Sequence, residues 1–106
     1  LRFSFVKIEV LLPEDIIIPL RNRLNDAGIL HVGHYDHVLS YTHTKGYWRP
    51  LNTAKPFNGN QNEISFGEEC KMEFRCPIDK LALAKQIVKD IHPYEEAVMY
   101  IIPLLD

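Results

Sequence analysis

The stretch Lys7-Ile-Glu-Val-Leu-Leu-Pro-Glu-Asp15 returns, sixty-four residues on, as Lys71-Met-Glu-Phe-Arg-Cys-Pro-Ile-Asp79. The echo continues beyond it: Asp26 corresponds to Asp90, and Leu20, Leu24 and Ala27 correspond to Ala84, Val88 and Ile91. A unit written twice along a chain sets the architecture before any motif does. The repeats run over about 6–43 and 70–104, with an insert at 44–67 between them. Together the 106 residues read as one domain, 1–106, with enough chain for a single core.

Within each repeat the pattern is local and legible. Val6, Ile8, Val10 and Leu12 alternate with Lys7 and Glu9, and Met72, Phe74 and Cys76 alternate with Lys71, Glu73 and Arg75. Period two marks a strand with one face on a core. A proline follows each strand, then Asp15 or Asp79, placed to cap a helix with its carboxylate. The helices carry apolar stripes, Ile17, Leu20, Leu24, Ala27 and Leu81, Ala84, Val88, Ile91, both spaced i, i+3, i+7, i+10. Gly28 supplies a left-handed stop for the first helix, and His92-Pro93 closes the second. Pro19 lies inside the first helix; with Asp15 as cap it forfeits the first bond and predicts a delayed first turn.

Tyr35–His43 and Tyr94–Leu104 read as the remaining strands, and Gly46–Leu51 as an extra strand extending a hairpin from the first of them. The order βαββαβ, with right-handed crossovers, predicts an α+β fold: a ferredoxin-like split βαβ sandwich with an antiparallel sheet, helices on one face and a long hairpin insert. In this reading Val98, Tyr100, Ile102 and Leu104 face the helices. Met99 and Ile101 then lie on an uncovered apolar face that seeks a partner.

Composition bounds the function. Hydrophobic residues make up 46% of the chain, charged residues 25%, and the net charge is −2, which offers no bulk attraction to nucleic acid or anionic lipid. The outward strand positions Lys7, Glu9, Glu73 and Arg75 lack the stacking aromatics by which an RNA binder of this topology holds bases. Arg2, Lys7, Glu9, Glu14 and Asp15 interrupt the apolar N-terminal stretch, so it is neither a membrane span nor a signal segment. Cys70 and Cys76 sit about 20 Å apart on one strand, too far for a disulfide. Free thiols in a reducing, cytoplasmic compartment are the expectation, with Cys76 as a small core residue. No phosphate loop, catalytic triad or dinucleotide fingerprint occurs.

Four further segments carry a pattern: Gly28-Ile-Leu-His-Val-Gly-His-Tyr-Asp-His37, Gly46-Tyr-Trp-Arg-Pro-Leu51, Ala54-Lys-Pro-Phe-Asn-Gly59 and His92-Pro-Tyr-Glu-Glu-Ala97. Together they resemble the YqfO-type domain of the NIF-three-like family, over nearly the whole chain. The resemblance implies a CutA/PII-like trimeric module, which in longer members is inserted between two halves of a domain holding a paired-metal site. It implies a stand-alone insert domain of poorly defined biochemical role. The chain departs from the family's usual residues at His34 (Asn), Val38 (Cys), Lys55 (Asn) and Ala97 (Pro), so chemistry at position 38 is not carried over.

The candidate site residues fall into three groups. His31, His34, Asp36 and His37, with His92 approaching, are the densest set of ligands for a divalent metal ion such as zinc. An extended segment points His34 and Asp36 one way and Tyr35 and His37 the other, which favours a structural role for these residues. His92, Tyr94, Glu95 and Glu96 offer paired acids for a small enzyme, without an accompanying nucleophile or oxyanion element. Trp48, Arg49, Pro50, Pro56 and Phe57 have the composition of an interface hot spot or a cleft between units. The leading reading is a non-catalytic oligomeric binding or regulatory module, self-associating as a homotrimer and meeting a small molecule or protein partner at its clefts, with no certain cofactor. A divalent-metal-binding protein and a small enzyme using Glu95 or Glu96 are the alternatives.

Overall fold

A computed structural model describes residues 1–106. Strand β1 (Phe3–Leu12) leads through a 3₁₀ turn (Glu14–Ile16) into helix α1 (Ile17–Asp26). Strands β2 (Ser40–Trp48) and β3 (Ser65–Pro77) form the central hairpin. A second 3₁₀ turn (Ile78–Lys80), helix α2 (Leu81–Ile91) and strand β4 (Met99–Leu105) complete the second repeat. The four strands lie in the order β2-β3-β1-β4, with every neighbouring pair antiparallel. This is the ferredoxin-like α+β arrangement that the repeat predicts. No helix is long and apolar enough to cross a membrane.

The two copies of the repeated stretch pair with each other. Val6 faces Cys76, Ile8 faces Phe74 and Val10 faces Met72, so the inward positions of both strands meet on one side of the sheet. Ile17, Leu20 and Leu24 of α1, and Ala84, Ile87 and Val88 of α2, close over them in a core of 16 buried residues. Both cysteines are free and buried there, and burial pushes the Cys76 thiol up to about 11. Gly28, at φ +77°, ends α1 as expected. The Ile29 N–H returns to the Leu24 carbonyl at 3.1 Å, the bond that closes a left-handed helix stop. His92 is extended and ends α2.

Four local expectations are corrected. Neither Asp15 nor Asp79 caps its helix through its side chain; each lies inside a 3₁₀ turn that precedes the helix. The late helix start occurs in both repeats, so Pro19 is not its cause. Second, β2 begins at Ser40 rather than Tyr35. Residues 32–37 make a tight turn bridged by Val32 and Tyr35, with Gly33 and His37 both at φ 58°. His37 holds that left-handed conformation with its N–H donating to Asn25 Oδ1 at 2.8 Å. Third, Gly46–Trp48 is the end of β2 itself, paired with Gly67, Phe66 and Ser65 of β3, not a separate strand.

The fourth correction concerns β4. Val10 pairs with Met99 and Ile8 with Ile101, and directly paired residues share a face. Met99 and Ile101 therefore pack against the core, while Val98, Tyr100 and Ile102 are exposed on the helix-free face. At the centre of that face the sheet is charged. Lys7 bridges Glu9 at 3.1 Å and Glu73 at 3.5 Å, and Arg75 lies 4.0 Å over the ring of Phe5. Its apolar surface is concentrated on β4 and at the end where the insert folds.

Candidate binding cleft

Strand parity aims Trp48, Glu69 and Leu11 at the helix-free face, because Trp48 pairs with Ser65, Thr44 with Glu69, and Leu11 with Lys71. Around these positions the insert and the segment after α2 build the walls of a cleft of about 330 Å³. The insert contributes Arg49, Pro50, Ala54, Pro56, Phe57 and Asn58. The post-helix segment contributes Tyr94, Glu95, Glu96 and Val98. Two motifs some forty residues apart in the sequence thus form one site.

Each wall is tied down. The indole N–H of Trp48 donates to the Asn58 carbonyl at 3.1 Å, folding the insert back over its own strand. Gln61 Nε2 donates to the Ala54 carbonyl at 2.7 Å. Glu95 reaches across to accept the Lys55 backbone N–H at 2.5 Å, and the rings of Phe57 and Tyr94 stand 5.7 Å apart, an ordinary aromatic pair. Tyr94 O–H donates to Glu69 Oε2 at 3.0 Å. Burial, with the Glu69 carboxylate beside it, pushes the Tyr94 phenol well above its usual range, so it remains a donor at neutral pH.

His92 anchors the post-helix wall to the sheet. Its Nε2–H donates to the Leu11 carbonyl at 2.5 Å, and its Nδ1 accepts the Tyr94 N–H at 3.2 Å. These two bonds define the Nε2–H tautomer. Burial holds its pKa below the ordinary 6.5. With both nitrogens engaged, His92 has no lone pair free for a metal.

The remaining histidine candidates lie elsewhere. His31, His34, Tyr35 and Asp36 line an open depression on the turn before β2, and it shares no residue with the cleft. His37 Nδ1 bonds Asp36 Oδ1 at 2.8 Å, which holds the Asp36 carboxyl below its usual range. His31, His34, His37 and His92 do not converge. The chain has one group of three His, Cys, Asp or Glu side chains whose ligand atoms lie within 4.8 Å of one another, and it is Glu14, His43 and Cys70. Sequence reasoning missed that group, and among cleft residues it missed Ala54 and Asn58 of the insert together with Leu11, Tyr47, Glu69 and Val98 on or beside the strands. The membership of the last four depends on strand register, which no local pattern states.

The cleft is chemically mixed. Tyr47, Trp48, Phe57 and Tyr94 give it aromatic surface, Arg49 a fixed cation, and Glu69, Glu95 and Glu96 carboxylates. Glu69 and Glu95 are both committed to internal hydrogen bonds, and Arg49 forms no ion pair within 4.0 Å.

No family model matches the chain. It is 29% identical over 94 residues to a GTP cyclohydrolase 1 type 2 homolog of Staphylococcus epidermidis, an alignment covering 89% of this chain and 26% of that protein. Among solved structures, a Bacillus cereus protein related to NIF3 superposes with a TM-score of 0.83 at 24% identity, over 98% of this chain and 26% of the other. CutA from Synechococcus elongatus superposes with a TM-score of 0.74 at 16% identity, over 98% of this chain and 80% of CutA. The chain thus spans about a quarter of the length of the curated relatives it matches. It is homologous to one segment of the GTP cyclohydrolase 1 type 2 homologs, is similar in structure to the corresponding part of a NIF3-related protein, and has the fold of CutA.

Proposed function

We propose that this chain is a non-catalytic binding module that self-associates as a homotrimer and receives a small ligand or a partner's side chains in the cleft between the insert and the post-helix segment. The observation that carries this reading is the cleft itself, whose walls are tied by the Trp48–Asn58, Lys55–Glu95 and Tyr94–Glu69 hydrogen bonds and which Arg49 lines without an ion-pair partner. Preformed, mostly apolar concavities with a few placed polar groups are where ligands bind. Aromatic residues and Arg are also the groups that dominate association energies. The carboxylates have structural work: Glu95 orders the insert and Glu69 orders Tyr94, which favours binding over acid/base chemistry.

Self-association is supported by the side chains that the fold leaves on the helix-free face. Tyr100 and Ile102 of β4 project there beside the cleft, and exposed apolar surface of this kind marks interaction sites. The relatives' name belongs to proteins more than three times as long, of which the matched segment is about a quarter.

Light scattering of the purified chain combined with a fluorescence screen of metabolites tests both halves. The expected mass is three times 12.3 kDa, and a bound ligand is expected to change the emission of Trp48, the one tryptophan. A monomer at tens of micromolar would remove the trimer. A ligand that binds equally well after Trp48→Ala and Arg49→Ala would remove the cleft as its site.

A further inference from the structure

On the helix-bearing side of the sheet, away from the cleft, three side chains from separate elements meet. Glu14 opens the 3₁₀ turn before α1. His43 in β2 pairs directly with Cys70 in β3, so their side chains share a face. Cys70 Sγ lies 3.8 Å from His43 Nδ1, and Glu14 Oε2 lies 3.4 Å from His43 Nε2. One ligand atom from each falls within 4.8 Å of the other two.

We propose that Glu14, His43 and Cys70 form a binding site for a single thiophilic divalent transition-metal ion of the zinc type, with its fourth position open to solvent. Metal–sulfur and metal–nitrogen distances of about 2.3 and 2.0–2.1 Å at a tetrahedral angle place sulfur and nitrogen about 3.6 Å apart. The Cys70–His43 separation is already close to that. Glu14 is the adaptable arm: its side chain is 57% exposed, and that of His43 is 64% exposed, so both can turn toward an ion without disturbing the core. Cys70, 1% exposed, forms the floor.

The donor set selects the ion class. A thiolate and an imidazole favour zinc and its neighbours over magnesium or calcium, which take oxygen ligands. The thiolate and carboxylate together neutralise a divalent charge. A nucleophilic Cys–His–Glu relay fits less well, because Cys70, 1% exposed and part of the core, leaves room at its sulfur for an ion between His43 and Glu14 but not for a bulky substrate.

Titrating the reduced full chain with cobalt(II), and following the thiolate-to-cobalt charge-transfer absorption, tests the site. The expected result is saturation at one ion per chain, with zinc(II) displacing cobalt. His43→Ala, at an exposed position that leaves the core intact, is expected to abolish the band. Glu14→Gln is expected to weaken binding by about tenfold or more, the scale on which metal sites respond even to the loss of outer partners. Cys76→Ala is expected to leave the band unchanged. Absence of a charge-transfer band at stoichiometric cobalt, its survival in His43→Ala, or its loss in Cys76→Ala with the fold retained would each overturn the assignment.

Discussion

The indole of Trp48 rests on the bare backbone of Gly67: a Cβ added at Gly67 would stand 3.1 Å from Trp48 Cη2 and 3.4 Å from Cζ3. The two residues are on adjacent strands, two positions apart and so on the same face in the register that pairs Trp48 with Ser65 and Gly46 with Gly67. The missing side chain at 67 is what lets the indole lie flat and reach the Asn58 carbonyl. Gly67→Val is therefore expected to lift the indole and release the insert, at an overpacking cost of about 1–3 kcal/mol. A red shift of the Trp48 emission checks this; unchanged emission would mean that the contact does not hold the ring.

Trp48→Ala is expected to give a folded monomer. None of the 16 core residues lies in the insert, so the duplicated βαβ units stand without it, whereas truncation of a hot-spot aromatic costs about 2 kcal/mol or more of association. Circular dichroism and light scattering decide the outcome. An unfolded variant would place Trp48 in the folding core, and an intact oligomer would remove it from the interface.

Ile101 and Ile102 are neighbours with opposite fates. Ile101→Ala removes a side chain packed on the core, for which about 2–4 kcal/mol is typical of large-to-small changes. Ile102→Ser alters an exposed residue on the helix-free face and should cost the fold little while weakening self-association. Paired urea titrations check the contrast. Equal losses would mean that the phase of β4 is not the one described.

His92 makes stability pH-dependent. Its pKa is lowered on folding, so the unfolded chain binds the proton first as pH falls below 6.5, and the folded state loses stability through that window down to its own lower pKa. Above 6.5 the contribution is fully present. His92→Gln keeps an amide donor for the Leu11 carbonyl without the titration. The slope of stability between pH 6.5 and the folded value is expected to be shallower in the variant; an unchanged slope would assign the dependence to other groups.

Tyr94→Phe removes the donor to Glu69 while keeping the ring against Phe57 and His92. The expected cost is about 1 kcal/mol, since the bond is only part-buried. Thermal unfolding measures it, and no change in midpoint would show that water replaces the phenol at Glu69 without loss.

The fold was legible in the sequence because its determinants are local and stated twice. Alternation along β1 and β3 and the i, i+3, i+7 stripes of both helices report burial directly, and duplication turns two weak patterns into one topology. Where both phases of an alternation are apolar, as along Met99, Tyr100, Ile101 and Ile102, periodicity cannot say which face is inside. The pairing of Ile8 with Ile101 decides it. The cleft motifs were visible as composition, but only antiparallel register brings Glu69, Tyr94 and Trp48 to the same face. The Glu14–His43–Cys70 group had no sequence signature at all, because its members are joined by sheet pairing and a helix approach rather than by spacing. Local pattern determined which residues of β1, β3 and the two helices are buried; tertiary structure decided the inner face of β4 and which exposed side chains meet, since both depend on distances across strands that a linear chain does not encode by proximity.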